Sequence, residues 1–310
     1  MHSIGVLSSD AKSSLCILSC FGASLSSAFI TTLETAIGRT ILDGLDEAVA
    51  EGLLDKIDEQ YRFSHDRIQE AAYNMIDFLD RCRFHFSYGM ALVPLADGED
   101  GDRILLTAAN QLNLAGPEAV KDKSQNAVVA NLNLRAGKKA MEMSDFEAAY
   151  SYFDNGISFL RKNHWKEHYT LSLELFNLAA KCALTNGAFD SLNLLSEQVL
   201  RMTQSFEDTL YVRFYTMCAL AFSSKLPESI EKGLDVLSKL GIELRGCESR
   251  GMEACVQETK DLLSAYTDDE ILNTRRMTDP TMIMALKFLG KLDTGMTQIM
   301  PKTAPYVAQR

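Results

Sequence analysis

The 310-residue sequence lacks the phosphate-binding loop on which P-loop nucleotide hydrolysis depends. That loop, GxxxxGK[ST], surrounds a triphosphate with backbone amides, a lysine and a magnesium-binding hydroxyl. The Gly-Lys pair Gly137-Lys138 is followed by Lys139, is preceded by Leu132 where the first glycine belongs, and falls inside a predicted helix. The HRD and DFG motifs of protein kinases are also missing. We therefore expect that this chain by itself is not an enzyme.

Concentrated positive charge is scarce as well. The formal net charge is −11, and no run of Lys or Arg is longer than two residues. Because nucleic-acid backbones are bound by clustered Lys and Arg, this pattern argues against a nucleic-acid partner.

Cysteine spacing excludes the usual zinc sites. No CxxC motif and no Cys/His cluster with zinc spacing is present, so we expect no bound metal. An odd number of scattered cysteines is typical of reduced, buried thiols in an intracellular protein. The seven are Cys16, Cys20, Cys82, Cys182, Cys218, Cys247 and Cys255.

No apolar run is long enough to span a bilayer. Ser14 to Ile30 is apolar but interrupted by Ser and Gly, and it allows two interpretations. It resembles the short apolar run of a signal peptide. We favour an opening helix with Leu15, Leu18 and Cys16 or Cys20 on its core face, and we expect a cytoplasmic protein without a membrane partner.

A small β-hairpin followed by a helix is predicted between Leu53 and Leu79. After the polar triplet 58–60, Tyr61 and Phe63 alternate with Arg62, which is typical of a half-buried strand. A helix over about 43–52 precedes the hairpin, with the stripe Leu42, Leu45, Val49 and Leu53. Helix, hairpin and helix in this order indicate a winged-helix-like module.

The helix after the hairpin carries its own start signals. Ser64 is a candidate N-cap, and Asp66 lies in the first turn, where the helix dipole favours a carboxylate. We expect Tyr61, Phe63, Ile68 and Tyr73 to lie in the core. The predicted apolar stripe consists of Ile68, Ala71, Ala72, Met75, Ile76 and Leu79. A linking helix follows to about Pro94, with Leu79, Cys82, Phe86, Met90 and Val93 close to one face.

Paired helices recur in the second half of the sequence. Their turns are predicted at 144–145, 186–187 and near 226–227, an interval of about 40 residues. The first of these helices has the stripe Val128, Leu132, Ala136 and Ala140, and the second pair begins with a helix over 169–185. Further helices are predicted over 251–265 and 281–292, with breaks at 245–247 and 278–280. Small residues such as Gly137, Ala149 and Gly156 are placed where two helices would touch. This period predicts a TPR-like α-solenoid, in which each helix pair covers an apolar face of the next.

Several segments resemble one family of signalling proteins in the same order along the chain. They are LDEAVAEGLL, YRFSHDRIQEAAY, NLRAGKKAMEMSDFEAAYSYFDNGISFL, HWKEHYTLSLELFNLAAKCALTNGAFDSLNLLSEQVL, ESIEKGLDVLSKLGIEL and MTDPTMIMALKFL. Together they resemble the STAND-type AAA ATPase region of multidomain serine/threonine kinases and hybrid histidine kinases. The resemblance implies a winged-helix end of an ATPase module, followed by helical repeats.

The resemblance also implies a domain division and a longer parent protein. Residues 1–80 would be the winged-helix end, 81–123 linking helices and loops, 124–245 TPR-like repeats, and 246–310 further helices of a truncated array. The phosphate loop would then lie in a part of the parent that this chain lacks. ATP or ADP would be bound by the parent, and this chain by itself would bind no cofactor.

His65 is the one candidate site residue that the resemblance singles out. In the related ATPases a winged-helix histidine reaches the nucleotide phosphates, and His65 stands at a helix start that suits an anion. In the full-length parent His65 would therefore act as a sensor of the nucleotide phosphates. The alternative is that His65 packs or caps locally and touches no ligand.

Metal binding and DNA binding are two alternative functions to weigh against nucleotide sensing. His164 and His168, beside Trp165, are four residues apart and would suit a metal, but no third ligand is evident, so exposed or capping histidines are the better interpretation. A winged helix can also read DNA, but the helix after the hairpin carries Asp66, Glu70 and Asp77 with Arg67.

We therefore expect a non-catalytic regulatory region whose repeat groove binds a peptide, another protein or an inducer, and which contacts the ATPase and kinase modules of its parent. The alternative is that the chain is one part of an ATP-dependent serine/threonine or histidine kinase whose catalytic domains lie elsewhere.

Overall fold

A computed structural model of the protein describes residues 4–98, 101–244 and 251–300, together with Ala304 and Val307. The chain divides into two compact units, Met1–Lys162 and Asn163–Arg310. The described residues are mostly helical and contain one small three-stranded antiparallel sheet, which confirms the predicted mostly α fold. The domain boundaries expected from the sequence stay a prediction.

In the first unit the helices and strands are α1 (Ser9–Phe21), β1 (Ser24–Ser26), α2 (Ser27–Ile37), α3 (Leu42–Ala50), β2 (Leu54–Ile57), β3 (Gln60–Phe63), α4 (Asp66–Asn74), α5 (Phe78–Leu92), α6 (Gly101–Ala115), α7 (Lys123–Glu142) and α8 (Phe146–Phe159). In the second they are α9 (His164–Glu167), α10 (Tyr169–Thr185), α11 (Phe189–Met202), α12 (Leu210–Phe222), α13 (Leu226–Lys239), α14 (Met252–Ser264), α15 (Asp268–Leu272) and α16 (Pro280–Ile299).

The predicted hairpin is present and belongs to a sheet of order β1-β3-β2. Both pairings are antiparallel, and Tyr61 of β3 lies opposite Leu25 of β1 and Lys56 of β2. Asp58 and Glu59 form the two-residue turn with φ of 47° and 60°, as hairpin turns of this length require. Tyr61 is buried against the core, where its hydroxyl donates to Asp46 Oδ1 at 2.5 Å.

The start and end of α4 differ from the prediction. Ser64 is not the N-cap; its hydroxyl donates to the carbonyl of Leu53 at 3.0 Å, and His65 occupies the cap position. The helix ends at Asn74, because Asp77 accepts a hydrogen bond from the Leu79 amide and starts α5.

The stripe predicted across this break is therefore wrong in part. Ala72 and Ile76 are buried and Ile68 is half-buried, whereas Met75 and Leu79 are 44% and 85% exposed. Ala71 is also exposed. Tyr61 and Phe63 lie in the core as expected, but Ile68 and Tyr73 are only half-buried.

The linking helix α5 buries a different face from the one predicted. His85, Tyr88, Gly89 and Leu92 are buried, in place of the face that includes Leu79, Cys82, Phe86, Met90 and Val93. Apolar periodicity missed this face because His85 is polar. His85 can nevertheless be buried, because both of its ring nitrogens have hydrogen-bonding partners. Gly89 lies on the same buried face. Helix α6 packs so closely there that a Cβ on residue 89 would lie 2.6 Å from Leu112 Cγ.

The helix pair α7–α8 follows the prediction closely. Ser144 and Asp145 form the turn, and Asp145 accepts a hydrogen bond from the Ala148 amide at the start of α8. Leu132, Ala136 and Ala140 are buried as expected. Val128 is 42% exposed, so its predicted core position is wrong, and Val129 is buried instead.

The second unit contains the next two predicted pairs, α10–α11 and α12–α13. The turn at Asn186-Gly187 is present, with Gly187 at a φ of +72°. The third turn lies at 223–225 and not near Leu226-Pro227, because Pro227 is in the first turn of α13, a position that proline favours.

Helix α16 completes the core of the second unit. It contacts α12 and α13, and Phe288, Leu292 and Met296 are fully buried there. The helices predicted over 251–265 and 281–292 are both present as α14 and α16, and Asp279 caps the latter. The predicted break at 245–247 and the prolines at 301 and 305 lie outside the described residues.

Candidate functional site

His65 lies at the surface of the first unit. It is exposed, its backbone is extended at the N-cap of α4, and its side chain makes no capping hydrogen bond. The neighbouring Ser64 is held against the hairpin, whereas Asp66 lines a groove from which His65 is absent. The side chains of these three adjacent residues therefore lie in different surroundings and do not form one site.

That groove has a volume of about 910 Å³ and is formed entirely by the first unit. Its walls are the end of α1, one face of α4, and parts of α5, α6 and α8. This size is at the upper end of the range for ligand pockets. The lining residues are Ser19, Cys20, Phe21, Gly22, Asp66, Gln69, Glu70, Tyr73, His85, Asn110, Gln111, Asn113, Leu114, Ala148, Ser151, Tyr152 and Asn155.

Helix α4 forms the acidic wall of the groove. Asp66, Gln69, Glu70 and Tyr73 recur at spacings of three and four residues, which places them on one face of the helix. Among the described residues, neither the Asp66 nor the Glu70 carboxylate has a hydrogen bond or an ion pair. Both carboxylates are exposed and available to a ligand.

A buried chain of hydrogen bonds forms the floor. The Gln111 amide nitrogen donates to the carbonyl of Cys20 at 2.9 Å, so Gln111 Oε1 accepts from His85 Nδ1 at 2.7 Å. His85 Nε2 is 2.9 Å from the Tyr73 hydroxyl. In the tautomer whose proton is on Nδ1, Nε2 accepts a hydrogen bond from the Tyr73 hydroxyl. Both ring nitrogens are thus occupied, and His85 is not placed to act as a base.

Amide side chains line the wall opposite α4. The Tyr152 hydroxyl donates to Asn110 Oδ1 at 2.8 Å, and Asn155 Nδ2 donates to the carbonyl of Ser151 at 2.8 Å. Asn113 exchanges two hydrogen bonds with Asn133 of α7. The amide nitrogen of Asn110 and the amide oxygen of Asn155 have no partner among the described residues.

The charge of the groove is negative. The lining set contains two carboxylates and neither Lys nor Arg. Burial raises the pKa of the Cys20 thiol to about 12, and it also raises the pKa of the Tyr73 and Tyr152 hydroxyls. These three groups are therefore neutral near pH 7, and the groove suits hydrogen bonding and cations.

The sequence analysis did not single out the residues of the two walls beyond Asp66 and Tyr73. One signal was available, because Asn110, Gln111 and Asn113 interrupt the apolar pattern of α6 with three amides in four positions. Their convergence with α4 depends on how the helices pack, and periodicity carries no information on that.

Of the two histidines of the second unit, His164 is held by contacts within the fold. His164 Nδ1 is 2.8 Å from Ser172 Oγ, and its ring stacks on Phe176 with centroids 6.0 Å apart. His164 is half-buried, and His168 is exposed at the N-cap of α10. In the part of the chain that the structure describes, no group of three or more His, Cys, Asp or Glu residues is arranged to hold a metal.

The cysteines agree only partly with the expectation of buried thiols. Cys20, Cys182 and Cys218 are buried and free, but Cys16 is half-buried and Cys82 is exposed. Cys82 lies on the outer face of α5, because His85 and Gly89 turn the other face toward α6. Cys247 and the side chain of Cys255 lie outside the described part of the chain.

The chain is similar to part of one signalling protein. Over 209 residues it is 22% identical to hybrid signal transduction histidine kinase G of Dictyostelium discoideum. The match covers 60% of this chain and 6% of that protein, so the chain spans only a small part of its relative's length. No family model matches the chain. No solved structure matches it.

Within the described residues, none of the helices combines the length and the apolar character that crossing a bilayer requires.

Proposed function

We propose that this chain is a non-catalytic protein-interaction region of a larger kinase-type signalling protein. The element order of the first unit supports a winged-helix-like module, because β1 follows the first helix and pairs with the hairpin β2–β3. The antiparallel pairs α7–α8, α10–α11 and α12–α13 support TPR-like repeats. The similarity to a hybrid histidine kinase supports the signalling context.

The observation that carries the proposal is the polar groove between α4 and α8. It offers unpaired carboxylates and amides along two walls, while its one histidine is hydrogen-bonded at both ring nitrogens. Such a lining suits the backbone and side chains of a bound protein segment. A nucleotide would need cations for its phosphates, so we propose that ATP or ADP is bound elsewhere in the longer protein.

The groove is not at the location of the repeat groove that the sequence predicted. Of the predicted repeats it uses only α8, and its other walls come from the winged-helix-like part and the linking helices. We therefore propose that the partner binds where the winged-helix-like part, the linking helices and the first predicted repeat meet.

Binding of a random peptide library tests this function. Ala148 lines the groove, whereas the neighbouring Glu147 is exposed and does not. We expect the chain to select peptides, Ala148→Trp to weaken their binding at least tenfold, and Glu147→Trp to leave it unchanged. Titration with ATP and ADP should show no binding and no turnover. ATP hydrolysis by the purified chain, or no peptide selection at all, would refute the proposal.

A second function is favoured by the small share of the relative that the chain covers. The chain would then be one part of an ATP-dependent kinase, in which His65 contacts nucleotide phosphates. Because His65 is exposed and has no side-chain partner among the described residues, His65→Ala should leave folding intact. In the longer protein the same change should alter ADP affinity, and unaltered ADP affinity would exclude this role.

A further inference from the structure

We infer that the groove binds an extended, positively charged peptide segment whose Lys or Arg side chains pair with Asp66 and Glu70. This inference rests on the proposed function and adds the chemical class of the partner.

The two carboxylates of α4 are the first argument. Asp66 and Glu70 are four residues apart, so they share one face of the helix and repel each other. A cation placed between them would relieve that repulsion, and an Arg guanidinium can donate hydrogen bonds to two carboxylates at once.

Two acidic groups of the first unit that lie outside the groove have cationic partners. Lys56 pairs with Asp46 at 3.3 Å, and Lys139 pairs with Asp102 at 2.5 Å. No described ion pair includes Asp66 or Glu70, and Arg67, although adjacent in sequence, does not line the groove. The two carboxylates of the groove therefore have no cationic partner among the described residues.

The opposite wall suits a peptide backbone. The amide nitrogen of Asn110 can donate to a carbonyl, and the amide oxygen of Asn155 can accept from an N–H group. Gln69 adds a third amide from α4. An extended segment presents both kinds of backbone group, whereas a small inorganic cation would leave these amides unused.

Apolar side chains complete the match to Lys and Arg. Phe21 lines the groove beside the end of α1, and Leu114 lines it while 59% exposed. The methylene stems of Lys and Arg cover such apolar surface while their charged ends remain at the carboxylates.

The test compares two fluorescein-labelled peptides of about ten residues. One carries alternating Arg and Lys, and its twin carries Gln at the same positions. We expect the cationic peptide to bind the full chain at least tenfold more tightly in low salt, by fluorescence anisotropy. The double variant Asp66→Asn, Glu70→Gln should lose most of this preference and show a weaker salt dependence.

The matched control removes the same charge elsewhere in the first unit. Glu51 and Asp55 are exposed and do not line the groove, so Glu51→Gln with Asp55→Asn should leave the affinity within about twofold. Circular dichroism verifies that each variant is folded. An equal loss in the control variant would show unspecific charge attraction and overturn the inference.

Two further outcomes separate the inference from the proposed function. If both peptides bind equally and Ala148→Trp abolishes both, the cationic preference is refuted while peptide binding stands. If the random library yields no binder at all, the proposed function itself is refuted. Displacement of the cationic peptide by an equal concentration of spermidine would identify a polyamine site and overturn the peptide assignment.

Discussion

Gln111 Oε1 accepts a hydrogen bond from His85 Nδ1 at 2.7 Å, and this contact fixes the imidazole tautomer at the floor of the groove. The orientation of the Gln111 amide is fixed in turn by the carbonyl of Cys20, which lies 91 residues away along the chain. One buried amide thus connects α1, α5 and α6. The groove keeps its shape because its polar floor is satisfied internally.

Replacing Gln111 with Leu should destabilise the first unit by about 1–3 kcal/mol, because the His85 N–H and the Cys20 carbonyl would both lose their partner in a buried place. Urea unfolding followed by circular dichroism measures this loss. Gln69→Leu is the control, since Gln69 is half-buried and its side chain has no described hydrogen bond. An equal effect of the two changes would contradict the importance of the network.

Gly137→Ala should destabilise the α7–α8 pair. An added Cβ would lie 2.4 Å from Cε1 of Phe153, whose side chain is fully buried and has no room to move. Overpacking of this kind costs about 1–3 kcal/mol. Thermal unfolding measures the loss of stability. Adding Phe153→Leu to the Gly137→Ala variant should restore part of the lost stability. Gly290→Ala, which meets nothing within 4 Å, should cost nothing.

The second unit should lose stability as the pH falls below about 6.5, the ordinary pKa of histidine. Burial, and to a lesser extent the nearby His168, lowers the pKa of His164 in the folded protein. The unfolded chain therefore takes up this proton at a higher pH than the folded chain. The contribution of His164 is fully present above the unfolded pKa and is lost as pH falls through the lower folded pKa.

Trp165 makes this measurement simple, because it is the single tryptophan of the chain and its ring centroid is 5.6 Å from that of His164. Its fluorescence reports urea midpoints at pH 7.5 and pH 5.5. His164→Gln should reduce the difference between the two midpoints, and His168→Gln should reduce it less, because His168 is the smaller cause of the lowered pKa of His164. An unchanged difference in His164→Gln would disprove this assignment.

Alkylation of the native protein should distinguish Cys82 from the buried thiols. Cys82 is exposed, whereas burial raises the pKa of Cys20 to about 12 and that of Cys182 to about 11. Since the thiolate is the reactive form, iodoacetamide at pH 8 should label Cys82 before Cys20 and Cys182. Peptide mapping by mass spectrometry identifies the site, and Cys82→Ser provides the control. Early labelling of Cys20 would contradict the described burial.

Secondary structure was predictable wherever its cause is local. The turn at Asp58 and Glu59, the turn at Ser144 and the bounds of α10 all follow from side chains within a few residues of one another. Where a local signal competed with periodicity, the prediction was wrong. Asp77 starts a new helix inside the stripe predicted from Ile68 to Leu79, and Pro227 opens α13 where a turn was expected.

By itself, the amino-acid sequence determined a mostly helical chain with one β-hairpin, paired helices and no concentrated positive charge. The tertiary structure alone decided that His85 and Gln111 are buried, that Asp66 lines a groove which His65 does not, and that Cys82 is exposed. The reason is physical. Helices and turns depend on backbone hydrogen bonds between near neighbours, whereas the groove depends on packing between residues as far apart as Cys20 and Gln111.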